Sequence, residues 1–112
     1  MSPKAGNAGS IPATSTNFKL YIMKIKVEQM ASSRSGRPVA NQFIIYTSEG
    51  RYFQSYDSVI AFKDNKGNIT LDLNYWDYSR TTGKYRNEFL GEGIVETRSK
   101  IESDRYKLEN LN

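Results

Sequence analysis

The order of short apolar segments and turn sequences constrains the fold of this chain more than any other feature. Four segments, F-I-I-Y-T, R-Y-F-Q-S, V-I-A-F and I-T-L-D-L, follow one another between residues 43 and 73. Glu49-Gly50, residues 56–58 and D-N-K-G-N separate them, and Asn and Gly adopt the positive φ angles of tight turns at little cost. This spacing predicts an antiparallel meander of four short strands, with Leu73 as the last residue that points inward.

The segment before the meander predicts a fifth strand. K-I-K-V-E-Q alternates charged and apolar residues, which places Ile25 and Val27 on one face of a half-buried strand. A polar loop over residues 31–38 then leads into the meander. F-K-L-Y-I, immediately upstream, can extend the strand backwards.

Helix signals appear only after the meander. Tyr78, Thr82, Tyr85 and Phe89 are spaced four, three and four residues apart and so share one helical face, with Trp76 expected to pack nearby. Ser79 or Thr81 provides an N-cap and Gly91 a C-terminal stop. Glycine at position 83 costs a helix about 1 kcal/mol relative to alanine. Its presence inside the helix therefore predicts that another backbone segment approaches closely at this point.

A second short helix is predicted from Thr97, with Ile101 inward, and K-L-E-N-L favours a last edge strand. Strands followed by helices define the α+β class. We therefore expect a small antiparallel meander of about five strands, with one or two short helices packed on one face.

Composition excludes several kinds of chemistry. The 112 residues contain no cysteine and no histidine, so disulfides, thiolate nucleophiles, imidazole bases and Cys/His zinc sites are all absent. No P-loop, G-x-S-x-G or EF-hand sequence occurs. The carboxylates Asp57, Asp64, Asp72 and Asp77 are too isolated in sequence to predict a metal pair. We predict a protein that is not an enzyme, with no catalytic residues, metal or cofactor.

Residues 1–22 differ in composition from the remainder. They contain no acidic residue and are mostly small and polar, which predicts a flexible tail ahead of a single domain over residues 23–112. Residues 8–13 can be encoded GCA GGT TCG ATT CCT GCA, which reads as the T-arm of a transfer RNA, and residues 14–17 can complete its CCA end. This reading predicts that the tail is non-native and that translation begins at Met23.

The charge balance depends on the same segment. The chain has 16 basic and 12 acidic residues, and without Lys4 and Lys19 the balance is 14 against 12, a net charge of +2. A charge this close to neutral weakens the electrostatic argument for nucleic acid.

Two groups of residues are candidates for recognition. The first is the hydroxyl-rich helix start with its following cations, a pattern that can bind a partner or an anion; it comprises Ser79, Arg80, Thr81, Thr82, Lys84 and Arg86. The alternative is that the hydroxyl groups only cap the helix. The cationic groups of Arg80, Lys84 and Arg86 are expected to face water. The second group combines arginines with strand aromatics and can stack single-stranded bases; it comprises Arg34, Arg37, Arg51 and Tyr52. Ordinary strand aromatics beside a solvated loop are the alternative.

Residues 41–92 carry a resemblance to a known group of proteins. S-Y-D-S-V-I-A-F, G-N-I-T-L-D and W-D-Y-S-R-T-T-G-K-Y-R-N-E-F-L follow in order. This pattern resembles a family of small uncharacterised proteins from tailed phages and mobile elements. The resemblance implies a viral or mobile accessory gene, expressed in the cytoplasm of a bacterial host.

Two functions from different classes follow. The first is non-catalytic docking on another protein, a host defence or regulatory factor or a phage protein, or on a second copy through an edge strand, since Tyr, Trp and Arg dominate interface energetics. The alternative is nucleic-acid binding through the arginine loop and the helix start, with a steep salt dependence. The start of the chain has no signal-peptide pattern, and no apolar run is long enough to cross a membrane.

Overall fold

The structure, a computed structural model, describes residues 25–112. The predictions for residues 1–22, including the backward extension by F-K-L-Y-I, lie outside the described residues. The elements are β1 (Lys26–Ala31), β2 (Pro38–Thr47), β3 (Gly50–Ser55), β4 (Ser58–Asp64), β5 (Ile69–Asp72), α1 (Arg80–Leu90), α2 (Ile94–Glu102) and β6 (Lys107–Glu109).

The strands form one sheet in the order β1-β2-β3-β4-β5-β6. Strands β1 to β5 are an antiparallel meander, and β6 returns from the helices to pair with β5 in parallel. The predicted α+β fold is confirmed, with six strands in place of about five. K-L-E does form an edge strand beside β5.

The core lies on one face of the sheet. Phe53, Ala61 and Leu71 stand side by side on β3, β4 and β5, and each is fully buried. Tyr85 and Phe89 of α1 cover this row, with the rings of Phe89 and Phe53 stacked at a centroid distance of 5.9 Å. The apolar spacing of the helix therefore did predict its buried face.

The inward assignment of the first strand is wrong. Ile25 and Val27 are 55% and 60% exposed, and Met30 is the buried residue of β1. Val27 pairs with Ile45, which lies on the sheet face opposite the core, whereas Met30 lies on the core face. Alternation identified the strand but could not identify which of its faces the helices cover.

Leu73 also departs from its predicted position. It is 55% exposed because β5 ends one residue earlier, at Asp72. The Asp72 carboxylate accepts hydrogen bonds from the backbone N–H groups of Asn74 and Tyr75, each at 2.9 Å. This turn directs the chain away from the sheet before Leu73 can add to the inward row.

The ends of α1 agree with the sequence. Ser79 is the N-cap, and its hydroxyl accepts the N–H of Thr82 at 3.1 Å; Gly91 ends the helix in the left-handed conformation. Tyr78, by contrast, precedes the helix and is 66% exposed, so its assignment to the packed face is wrong.

The second helix begins earlier than predicted. It starts at Ile94 after the N-cap Gly93, and Thr97 lies inside it. The Thr97 hydroxyl donates to the Glu92 carboxylate at 2.7 Å, so it ties the helix to the preceding loop without capping it. Ile101 packs against the core as expected.

Gly83 provides a test of the packing around α1. The nearest atoms to a Cβ added at Gly83 belong to the Arg86 guanidinium, at 3.6–3.9 Å, which is an ordinary contact distance. No backbone atom of another element lies closer than these. The predicted close approach is therefore wrong. We expect Gly83→Ala to raise the free energy of unfolding by about 1 kcal/mol, the difference in helix propensity. Urea denaturation measures the change, and a loss of stability would show that the methyl group displaces Arg86.

Candidate interaction surfaces

The hydroxyl groups at the start of α1 are used internally. Thr82 is fully buried, and its hydroxyl lies 2.9 Å from that of Ser55 on β3 and 3.1 Å from that of Ser79. This chain of hydroxyls joins the helix start to the sheet. Of the three predicted hydroxyl residues, only Thr81 has a side chain outside this network, and it is exposed.

Arg86 is buried, and the prediction that its head faces water is wrong. Its side chain is 2% exposed and donates to the Trp76 carbonyl oxygen at 2.8 Å, to Asp77 at 3.2 Å and to the Asn87 amide oxygen at 2.9 Å. The guanidinium also lies 5.4 Å from the centroid of the Trp76 ring. Arg86 therefore links the segment before α1 to the helix through hydrogen bonds. The planar guanidinium, with five N–H donors, is suited to binding several acceptors at once.

Arg80 and Lys84 remain on the surface. Both are exposed, and the Lys84 ammonium lies 5.3 Å from the centroid of the neighbouring Tyr85 ring. They line a shallow groove along α1 that also contains Asp77 and Ile94. The first predicted group thus divides into surface residues, Arg80, Thr81 and Lys84, and structural residues, Ser79, Thr82 and Arg86.

The second predicted group does not form one surface. Arg51 and Tyr52 are consecutive on β3, so their side chains point to opposite faces of the sheet. Arg51 pairs with Tyr46 and Lys63, whereas Tyr52 pairs with Ile45 and packs its ring on Phe62 at 4.4 Å. Arg34 and Arg37 lie in the exposed loop at the other end of β1 and β2.

A surface that sequence reasoning missed is the sheet face opposite the core. The residues that define this open face are Val27, Phe43, Ile45, Tyr52, Val59 and Phe62. Val27, Ile45, Tyr52 and Phe62 stand in one row across β1 to β4. Residues of both helices, including Phe89 and Ile101, pack against the core on the other face. Within residues 25–112, no helix covers the open face.

One segment of the sequence did indicate that this face is apolar. F-I-I-Y is a continuous apolar run, the pattern of a strand with apolar residues on both faces. Ile44 points to the core and packs against it, while Phe43 and Ile45 point to the open face and are half-buried.

A cleft of about 600 Å³ lies between the β3–β4 turn and the start of α1. Its walls are three tyrosines, three serines, a threonine and a carboxylate: Tyr56, Tyr75, Tyr78, Ser55, Ser58, Ser79, Thr81 and Asp57. The Tyr75 and Tyr78 rings meet edge to face at 5.4 Å. Ser79 and Thr81 thus border a cleft that is aromatic and acidic, whereas the sequence predicted that this helix start would bind a partner or an anion.

Two carboxylates with lowered pKa values join separate segments of the chain: Glu92 binds α2 and Tyr106, and Asp72 binds the turn after β5 and the C-terminal residues. Burial opposes ionisation of Glu92, but hydrogen bonds from Lys100, Thr97 and Tyr106 outweigh it and hold the pKa below its usual value. Burial likewise opposes ionisation of Asp72, and donors including the Leu111 backbone N–H keep its pKa low. Both carboxylates accept several hydrogen bonds from within the fold.

These pKa values predict the acid stability of the protein. A carboxylate with a lower pKa in the folded state stabilises fully above its unfolded pKa, about 4, and that stability is lost as the pH falls through the folded value. We expect the free energy of unfolding to decline below about pH 4. Glu92→Gln should cost about 2 kcal/mol at pH 7 and flatten the decline. Denaturation at pH 3 and pH 7 checks this; an equally steep decline in the variant would contradict it.

The described residues thus form a small α+β protein with one covered and one open sheet face. None of the helices within residues 25–112 is long and apolar enough to span a membrane. The chain matches DUF8033, a family of unknown function, over residues 25–106, and it belongs to that family. No curated protein and no solved structure matches it.

Proposed function

We propose that this protein acts non-catalytically, by binding other proteins, and that its working form is a symmetric pair joined through the open face. The observation that supports the proposal is the apolar row Val27–Ile45–Tyr52–Phe62, which crosses four strands on the face away from the helices. Proteins seldom leave a contiguous apolar surface in water unless it binds something.

A second copy is the occupant that this face suits. On β1 to β5 the side chains around the row are uncharged, with Gln29, Thr47, Gln54 and Thr70 as its polar neighbours, and the row ends at Lys107 on the edge strand β6. Nothing on the central strands would therefore repel an identical face. Depletion of charge at the centre is typical of protein interfaces, and two sheets pack face to face at about 10 Å.

The available area agrees with a modest interface. Strands about 4.8 Å apart with a rise of about 3.3 Å per residue give the open face a projected area of roughly 500 Å². A standard interface buries about 800 Å² per partner. Raised side chains such as Tyr52 and Phe62 make the accessible area larger than this projection, so an interface at the small end of the range for protein complexes is expected.

The target of the pair is proposed on separate grounds. The resemblance of residues 41–92 to phage and mobile-element proteins favours a host defence or regulatory protein. In this proposal the helices face outward from the pair and remain accessible to that target.

Sedimentation equilibrium tests the pairing. We expect the wild-type mass to rise from that of a monomer towards twice that value with concentration, and Ile45→Lys to remain monomeric because it places a charge in the row. Val95→Lys is the matched control, since Val95 is 77% exposed on α2, away from the open face. Pairing by Ile45→Lys equal to that of the control would contradict the proposal. So would a full chain that stays monomeric while one lacking residues 1–22 pairs, because the N-terminal segment would then be the occupant.

Nucleic-acid binding is the second candidate, supported by Arg34 and Arg37 in an exposed loop. Neither guanidinium has a carboxylate partner among residues 25–112. Binding to DNA or RNA that weakens steeply with salt, and that is lost in Arg34→Gln/Arg37→Gln, would favour this function. Salt-independent capture of a protein that resists nuclease treatment would favour the first.

A further inference from the structure

The cleft beside the start of α1 has walls that suit a cation. Among the described residues that line it, Asp57 carries the only formal charge. The Asp57 carboxylate is exposed, and no hydrogen bond or ion pair within residues 25–112 uses it. Three tyrosines line the same cleft, and the negative face of an aromatic ring attracts cations.

We propose that this cleft binds a guanidinium group, presented by an arginine side chain of a protein partner. Guanidinium is planar and weakly hydrated, so it stacks on tyrosine and can also form two parallel hydrogen bonds to one carboxylate. An ammonium group can make neither arrangement. The volume of about 600 Å³ is sufficient for an arginine side chain and its flanking backbone.

The backbone at Tyr56 is a second, independent observation. Tyr56 occupies the first position of the two-residue turn between β3 and β4 with φ 56°, where glycine or asparagine is usual. A bulky residue in this conformation is strained, and strain of this kind is found at binding sites. The ring is 48% exposed, so packing offers little to offset the strain.

The helix start suits an anion less well than the cleft suits a guanidinium group. The Thr82 N–H, one of the donors that an anion would use, is already bonded to Ser79, and Arg86 is buried. The nearby cations Arg80 and Lys84 line the separate groove along α1. The cleft itself therefore presents negative charge and aromatic faces.

Nuclear magnetic resonance titration of the full chain tests the site with three probes: Nα-acetyl-arginine amide and the equivalent lysine and glutamate compounds. We expect the arginine probe to bind most tightly and to shift the resonances of Tyr56 and Tyr78, and the glutamate probe not to bind. Asp57→Asn should weaken arginine binding about fivefold or more, the effect of losing a charged partner. Equal binding of the three probes, or unchanged binding by Asp57→Asn, would overturn the proposal.

Tyr56→Gly separates binding from structure. Glycine relieves the strained turn, so we expect a higher melting temperature together with weaker arginine binding. A lower melting temperature with unchanged binding would make Tyr56 structural and overturn its role. Arg80→Gln/Lys84→Gln, which leaves the cleft intact, should bind the arginine probe as the wild type does.

The source of the guanidinium is tested by a pentapeptide, Gly-Gly-Arg-Gly-Gly with blocked ends. Tighter binding by the peptide than by the single residue supports a protein partner, and equal binding overturns that part of the proposal. The site is independent of pairing through the open face. Ile45→Lys should therefore bind the arginine probe normally, and failure of one proposal leaves the other standing.

Discussion

Replacing Arg86 with glutamine is expected to lower the free energy of unfolding by about 3 kcal/mol. The guanidinium is buried and holds the Trp76 carbonyl, Asp77 and Asn87 together. Glutamine is shorter, uncharged and able to donate only two hydrogen bonds, so it leaves the carbonyl oxygen without its donor and a gap beside the Trp76 ring. Urea denaturation followed by far-ultraviolet circular dichroism measures the loss.

The matched control for Arg86 is the double variant Arg80→Gln/Lys84→Gln. Both side chains are exposed, and exposed substitutions on a helix change stability by about 0.5 kcal/mol or less. A melting curve for Arg86→Gln that superimposes on that of the double variant would contradict the buried network. It would return Arg86 to the surface group that the sequence predicts.

Replacing Gly50 with alanine is expected to cost about 4 kcal/mol, the combined effect of overpacking and backbone strain. Gly50 begins β3 with φ 148°, opposite Asp64 of β4. An added Cβ would collide with the Lys63 carbonyl oxygen and would lie 2.8 Å from the Asp64 Cα. Backbone atoms cannot move aside as a flexible side chain can, so the β3–β4 pairing itself must distort.

Gly67→Ala provides the comparison, because Gly67 also has a positive φ angle but no atom within 4 Å of an added Cβ. Its cost should be confined to backbone strain, about 1 kcal/mol. Thermal unfolding of both variants separates the two effects. Equal losses would mean that the contact with Lys63 contributes nothing.

Much of the fold could be predicted because its determinants are local. Turn sequences such as D-N-K-G-N fixed the ends of the strands, and hydroxyl and glycine residues fixed the ends of α1 at Ser79 and Gly91. The inward face of that helix followed from residue spacing, as the burial of Tyr85 and Phe89 shows. These features need only a few neighbouring residues to specify them.

The burial of Arg86 depends on chain segments that local patterns do not bring together. Its acceptors Trp76 and Asp77 precede the helix by a turn whose direction the sequence does not specify. One local indication was present, since Arg86 lies four residues after Thr82 and three before Phe89, both on the inward face. Spacing alone would have placed it with the buried residues.

The two faces of the sheet show a different limit. Alternation in β1 separated its two sets of side chains but could not show which set the helices would cover, and the continuous apolar run of β2 did not distinguish its two faces at all. The choice is made by the long-range packing of Phe89 on Phe53, and it leaves Val27 and Ile45 outside the core. The cleft also forms only when the β3–β4 turn meets the start of α1, so Asp57 and Tyr78 had no shared pattern in the sequence.

Chemical cross-linking tests the pairing through the open face most directly. The chain contains no cysteine, so Ile45→Cys introduces its only thiol at the centre of the apolar row. A short bis-maleimide should join two copies of this variant efficiently at concentrations where the wild type sediments as a pair. Val95→Cys, exposed on α2, should give little cross-linked product under the same conditions. Equal yields from the two variants, or none from Ile45→Cys, would contradict pairing through the open face.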